Sequence, residues 1–210
     1  MIAGVTTNPT LLLKSGVTDY LSFANNILKI IKSKPISLEV LSDDFEQMEQ
    51  QALVLNSLAS NIFVKIPICN SVGKSSVNLV KKLVDKKVRL NITAILDIEQ
   101  VENISRYLDP EVPSYVSVFA GRVADTGVDP LPLMKESIVI LKKTCRSKLI
   151  WASPREVFNF YQANSIGCNV ITMPKDMIEK LKLRGKDLIE YSTETSKMFF
   201  DDGKKSGLFL

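Results

Sequence analysis

Ile62-Phe63-Val64-Lys65-Ile66-Pro67 is a short apolar run of strand-forming residues with one lysine set inside it. Lysine is among the residues least often buried, because its ammonium loses hydration without gaining a fixed partner. A strand that carries one is either an edge strand or a wall that holds an amine in a cavity for chemistry. Desolvation lowers a lysine's pKa, and a neutral amine is the form that attacks a carbonyl to give a Schiff base. Taken alone, the run favours the edge strand. The segments on either side of it decide otherwise.

On the N-terminal side, Ser37–Leu41 reads as a strand, followed by a helix to about Ser60 with Phe45, Met48, Ala52 and Leu55 as its stripe. Before these come a β-rich start, Ile2–Asn8, closed by Asn8-Pro9, and a helix with Tyr20, Ala24, Ile27, Leu28 and Ile31 on one face. On the C-terminal side, strands are expected at Arg89–Ile95, Tyr115–Gly121, Lys148–Ser153 and Cys168–Met173, with helical stretches between them and two more at Asp176–Leu183 and Gly185–Phe200. Seven strands alternate with helical crossovers and no hairpin dipeptide joins any two, which predicts a parallel sheet. An open nucleotide-binding sheet would want G-x-G-x-x-G after its first strand, where Asn8-Pro9-Thr10 stands instead. Gly73-Lys74-Ser75 resembles the end of a P-loop, but the loop's first glycine position is Ile68.

Side-chain alternation favours a barrel. If the parity of Lys65 marks the interior, polar residues fall on that face towards the C-terminal end of strand after strand. They are Thr6, Asn8, Glu39, Asn91, Thr93, Ser117 and Ser153, while Val5, Leu38, Val40, Val64, Ile66, Leu90, Ile92, Val116, Val118 and Ile150 are expected to face the helices. A (β/α)₈ barrel builds its site from strand C-termini at one mouth, and it has no edge for a lysine to occupy. The fold class expected is therefore α/β, a TIM (β/α)₈ barrel, in one domain over residues 1–210.

Composition narrows the function. The chain has 210 residues, 45% hydrophobic and 24% charged, an ordinary globular balance. The absence of histidine excludes serine–histidine and cysteine–histidine hydrolases and the commonest metal ligand sets. Three scattered cysteines, Cys69, Cys145 and Cys168, suggest neither a disulfide framework nor a zinc site, so a cytoplasmic setting is expected. A net charge of +4, with bases and acids interleaved, gives no nucleic-acid signature. No apolar run approaches the ~20 residues of a membrane helix, and no signal-peptide pattern opens the chain.

The segments Gly4-Val5-Thr6-Thr7-Asn8-Pro9, Val64-Lys65-Ile66-Pro67, Leu90-Asn91-Ile92-Thr93, Ser117-Val118-Phe119-Ala120-Gly121-Arg122 and Ala152-Ser153-Pro154-Arg155 together resemble the transaldolases. The likeness is to their small single-domain branch, which includes fructose 6-phosphate aldolase. It implies a class I mechanism with no metal or cofactor, in which a dihydroxyacetone unit passes between sugar phosphates. By that resemblance Lys65 is the Schiff-base lysine, and Glu39 and Thr93 share an acid–base water. Thr6, Asn8, Asn91, Ser117 and Ser153 line the sugar, and Arg122 and Arg155 take the phosphate. Asp125 and Asp129 read as helix caps. The aldolases carry glutamine at Glu39 and tyrosine at Phe119 and lack the asparagine of Asn91, so these positions favour transaldolase over an aldolase-type lyase. The family's first strand carries an aspartate upstream of Gly4. That strand is expected to lie outside these 210 residues, leaving a catalytically impaired sugar-phosphate-binding relative or fragment as the alternative. The resemblance also implies a homo-oligomer, with the helix at 185–200 packing on a neighbour.

Overall fold

The computed structural model describes residues 2–143 and 146–207. They form two compact units, Met1–Met173 and Pro174–Leu210. The first contains β1 (Val5–Thr6), β2 (Ile36–Glu39), β3 (Ile62–Pro67), β4 (Leu90–Ile95), β5 (Ser114–Val118), β6 (Ser147–Trp151) and β7 (Val170–Ile171). Their order in the sheet is their order in the chain, and every adjacent pair is parallel. Helices fill the crossovers: α1 (Pro9–Lys14) and α2 (Tyr20–Ile30) after β1, α3 (Phe45–Leu58), α4 (Val77–Asp85) and α5 (Ile98–Ser105) after β2 to β4. After β5 come α6 (Ala120–Asp125) and α7 (Pro130–Leu141), and after β6 comes α8 (Phe158–Ser165). The second unit holds α9 (Lys175–Lys180), a 3₁₀ turn at Leu181–Leu183 and α10 (Leu188–Ser206). Among the described residues no helix is long and apolar enough to cross a membrane.

Local chemistry sets the helix starts. Asp44 accepts from the amides of Glu46 and Gln47 at α3, and Asp97 with Gln100 forms a capping box at α5. Asp129 caps α7, whose first residue is Pro130. One strand face packs on these helices. Ile36, Leu38, Val64, Ile66, Leu90, Ile92, Val116, Val118, Leu149 and Trp151 are all buried against residues such as Met48 and Ala52 of α3, Leu83 of α4, Ile104 of α5 and Met134 of α7. The sheet needs this cover, because the face turned to the helices is apolar throughout.

The opposite face is concave. Strands two apart in a flat sheet lie roughly 9.5 Å from each other, too far for short side chains to meet over an intervening strand. Yet Asn91 of β4 donates to Ser37 of β2 at 2.9 Å, and the rings of Phe63 in β3 and Tyr115 in β5 lie 4.6 Å apart. Lys65 of β3 likewise reaches the Thr7 carbonyl, just past β1, at 2.9 Å. Such contacts require the sheet to curl, giving the half-barrel of a TIM-type α/β fold. Among the described residues β1 and β7 each pair on one side only.

Three expectations need correction. Ile150 pairs with Ser117, and Trp151 with Val118, so Ile150 shares the concave face and Leu149 and Trp151 face the helices. The alternation assumed for Ser153 stops before it, because β6 ends at Trp151 and Ser153 adopts φ 58°. The strand expected over Tyr115–Gly121 ends at Val118, and Ala120 already begins α6. A bulge in β4 also shifts the register between Ile92 and Ile95, with Ala94 at φ 61°.

Candidate active site

Lys65 is the fourth of the six residues of β3 and is 6% exposed. Its Nζ donates to Glu39 Oε2 at 2.7 Å and to the Thr7 carbonyl at 2.9 Å. Glu39 closes β2 in register with Lys65, so the sheet itself delivers carboxylate and amine to adjacent positions on one face. Buried ions persist only when paired and hydrogen-bonded, and both conditions hold here. The lysine is thus a wall residue of the concave face.

A second polar chain lies on the same face. Ser117 Oγ donates to Asn91 Oδ1 at 2.7 Å, and Asn91 Nδ2 donates to Ser37 Oγ at 2.9 Å. All three side chains are buried. Thr93 follows Asn91 on the same face, paired with Pro67, and is 2% exposed. Its hydroxyl has no hydrogen-bond partner among the described residues. The same holds for the Ser76 hydroxyl and the Trp151 indole N–H.

The rim carries the two arginines. Gly121 in the first turn of α6 touches the loop after β6 so closely that a Cβ there would lie 1.5 Å from the Ser153 carbonyl oxygen. Arg122 follows it, with its guanidinium carbon 4.9 Å from the centre of the Phe119 ring. Arg155 Nε donates to Asp125 Oδ1 at 2.8 Å, and Nη2 donates to Oδ2. The Arg155 guanidinium beside Asp125 holds that carboxyl below the usual carboxylate range, with a further pull from Arg122. Asp125 is therefore the partner of an arginine and not a cap, whereas Asp129 does cap. Asn8 caps α1, its Oδ1 accepting from the Leu11 amide at 2.8 Å, which commits that oxygen. Thr6 is half-buried in β1, in register with Ser37.

Lys65, Glu39, Asn91, Ser117 and Thr93 come together as the alternation predicts. Missed were Ser37, Thr7 and Tyr20. Ser37 was available to the same parity rule, standing two residues before Glu39. Thr7 contributes a main-chain carbonyl, which has no sequence signature. Tyr20 reaches in from α2, donating its hydroxyl to the Glu39 carbonyl at 3.0 Å.

Burial pushes the Tyr20 hydroxyl up to about 12, against the pull of the nearby Thr7 side chain and of its hydrogen bond to the Glu39 carbonyl. A folded value above the usual 10 gives stability that is complete below pH 10 and is lost as pH climbs to about 12. Denaturant melts should therefore lose stability across that window, and Tyr20→Phe should lose measurably less of it. An identical alkaline slope in the two proteins would contradict this assignment.

The class of fold is thus the TIM-type α/β unit, with polar side chains gathered towards the C-terminal ends of its strands. The sequence matches the family described as Transaldolase/Fructose-6-phosphate aldolase over residues 1–207. A probable transaldolase of Thermoanaerobacter sp. (strain X514) is 31% identical over 209 residues, covering 99% of this chain and 90% of its own. That of Methanococcus vannielii is 32% identical over 182 residues, 86% of this chain and 80% of the relative. The chain belongs to the transaldolase/fructose-6-phosphate aldolase family. Among solved structures, a mandelate oxidase with benzoyl-formic acid aligns with a TM-score of 0.52 at 10% identity, over 71% of this chain. This chain spans about half of that one, 51%, and the likeness is one of fold alone.

Proposed function

We propose that this protein is a transaldolase that carries a dihydroxyacetone unit from a ketose phosphate to an aldose phosphate through a Schiff base on Lys65. The observation that carries the reading is the Lys65–Glu39 pair, with the lysine buried on the concave face and the two residues in register on neighbouring strands. Glu39 is at hydrogen-bond distance to take a proton from the ammonium. The freed amine adds to the C2 ketone, and the carbinolamine loses water as its hydroxyl is protonated by the same carboxyl, giving an iminium ion. Thr93 holds the water of that step. Cleavage between C3 and C4 then gives the C4 hydroxyl proton to water, releases the aldose phosphate and leaves the electron pair of the broken bond on the three-carbon unit as an enamine. The enamine adds to a second aldose phosphate, and hydrolysis frees Lys65.

Asn91 and Ser117 bind the hydroxyls of the dihydroxyacetone unit in this scheme, with Asn8, Thr6 and Ser153 at its margins. Arg122 and Arg155 take the phosphate, as planar guanidinium forks suit phosphate oxygens. Arg155 offers its remaining N–H edge while Asp125 fixes the other. The reading entails sugar-phosphate partners, a pentose phosphate-type role in the cytoplasm and a homo-oligomeric assembly.

Product analysis tests it. With fructose 6-phosphate and an aldose phosphate acceptor, the three-carbon unit should appear on the acceptor in preference to free dihydroxyacetone. Phe119 presents an apolar ring under Arg122, where a phenol would add an acid–base hydroxyl. Phe119→Tyr is therefore expected to shift the product ratio several-fold towards free dihydroxyacetone. A ratio unmoved by the substitution would remove Phe119 as the discriminator. Free dihydroxyacetone as the sole product of the unaltered protein would favour the aldolase-type lyase.

A further inference from the structure

Tyr20 opens α2, its ring stacked near Phe23 with centroids 6.4 Å apart. Its hydroxyl donates to the Glu39 carbonyl at 3.0 Å, and the Thr7 side chain is close enough to pull on its acidity. Glu39 and Thr7 are the two residues that hold Lys65 Nζ.

The ladder explains why a side chain is needed there. Between β1 and β2 the amide of Val5 donates to Pro35 O at 2.9 Å and that of Thr7 to Ser37 O at 3.1 Å. A parallel ladder advances two residues at a time, so the next bond would run from residue 9 to Glu39 O. Asn8 is still extended, with φ −152° and ψ 161°, but residue 9 is proline and has no N–H to give. The carbonyl of the residue that carries the carboxylate thus lacks its backbone donor, and Tyr20 supplies one from a helix.

Resting on the reading of Lys65 as the Schiff-base amine, we propose that Tyr20 is a positioning residue, its phenol fixing Glu39 and Thr7 around Lys65 for proton transfer during imine formation. It does not touch the substrate. It holds the carboxylate strand end and the Thr7 segment in one geometry, and loss of that geometry slows the chemical step without changing how the sugar phosphate binds.

The test is single-turnover formation of the borohydride-reducible adduct with fructose 6-phosphate, followed by quenching with borohydride at successive times. Rates are counted per folded molecule by circular dichroism, so that a partly unfolded preparation does not imitate a slow one. Tyr20→Phe keeps the ring and removes the hydroxyl. The maximal rate is expected to fall about five- to tenfold, while the half-saturating fructose 6-phosphate concentration stays within about twofold. An unchanged maximal rate per folded molecule would overturn the role of Tyr20. So would a loss confined to the half-saturating concentration, which would place the phenol in binding. If the unaltered protein forms no adduct at Lys65, the reading beneath the inference falls with it. An adduct in the unaltered protein with no effect of Tyr20→Phe removes the inference alone.

Discussion

Lys65→Met should eliminate the substrate-dependent borohydride adduct and reduce sugar-phosphate turnover by at least about 10³-fold, because it removes the nucleophile. Lys65 is the lysine on the concave face with a carboxylate in register beside it. The lysine side chains in the salt bridges of Lys82, Lys86, Lys87 and Lys186 are 63%, 48%, 67% and 22% exposed, against 8% for that of Lys65. Methionine has similar length and fills the space without a charge. Removing one partner of a buried pair can cost about 3–5 kcal/mol when the other charge is stranded. Glu39 remains 15% exposed at the rim, so its carboxylate can hydrate and the stability loss should fall below that range. A thermal melt beside the adduct assay separates the two effects. Residual adduct at wild-type level in a folded Lys65→Met protein would remove the assignment.

The second large effect is expected from Gly121→Ala. The added Cβ would stand 1.5 Å from the Ser153 carbonyl oxygen and 2.7 Å from its carbonyl carbon. These are backbone atoms, which no rotamer change can move aside. Ser153 is itself held in the left-handed region at φ 58°, a conformation that costs a residue with a Cβ about 1–3 kcal/mol. The loop therefore has little freedom left to absorb the clash. Overpacking of this kind costs typically about 1–3 kcal/mol and sometimes more, and the depth of the overlap argues for the upper end. At about 2–4 °C per kcal/mol for a protein of this size, the melting temperature should drop by roughly 6–12 °C.

The same movement has a functional consequence. It drives α6, with Phe119 before it and Arg122 within it, away from the segment that carries Ser153 and Arg155. The half-saturating concentration of fructose 6-phosphate should rise at least about tenfold. Trapping of unphosphorylated dihydroxyacetone on Lys65, which needs neither arginine, should be nearly unaffected at a temperature where the variant is folded. Equal losses for both compounds would show that the contact supports the fold and not the phosphate end.

Much of this site could be read from strand parity, because parity survives wherever a strand stays regular. Lys65, Glu39, Asn91 and Ser117 lie in unbroken ladder positions, and alternation alone puts them on one face. The method failed where the backbone leaves the pleat. Ser153 follows the end of β6 and turns through a positive φ, so counting back from it assigned Ile150 to the wrong side. Phe119, Ala120 and Gly121 look like the end of an apolar strand, yet tight packing of Gly121 on the Ser153 carbonyl turns them into a helix start. The bulge at Thr93 and Ala94 is likewise silent in sequence, since Ala94 is not a residue that announces a left-handed conformation. The Tyr20 contact arises from a missing proline N–H, which becomes visible only when the register is known. The Arg155–Asp125 pair spans 30 residues between two surface segments, and no periodicity links them.

The central claim is that Lys65 is the amine that bonds covalently to the sugar. Peptide mapping by mass spectrometry after treatment with fructose 6-phosphate and borohydride tests it most directly. The increment of a reduced ketose or three-carbon unit should fall on the peptide containing Phe63-Val64-Lys65-Ile66 and be absent when either reagent is omitted. An increment on any other lysine, or none in the folded protein, would contradict the account.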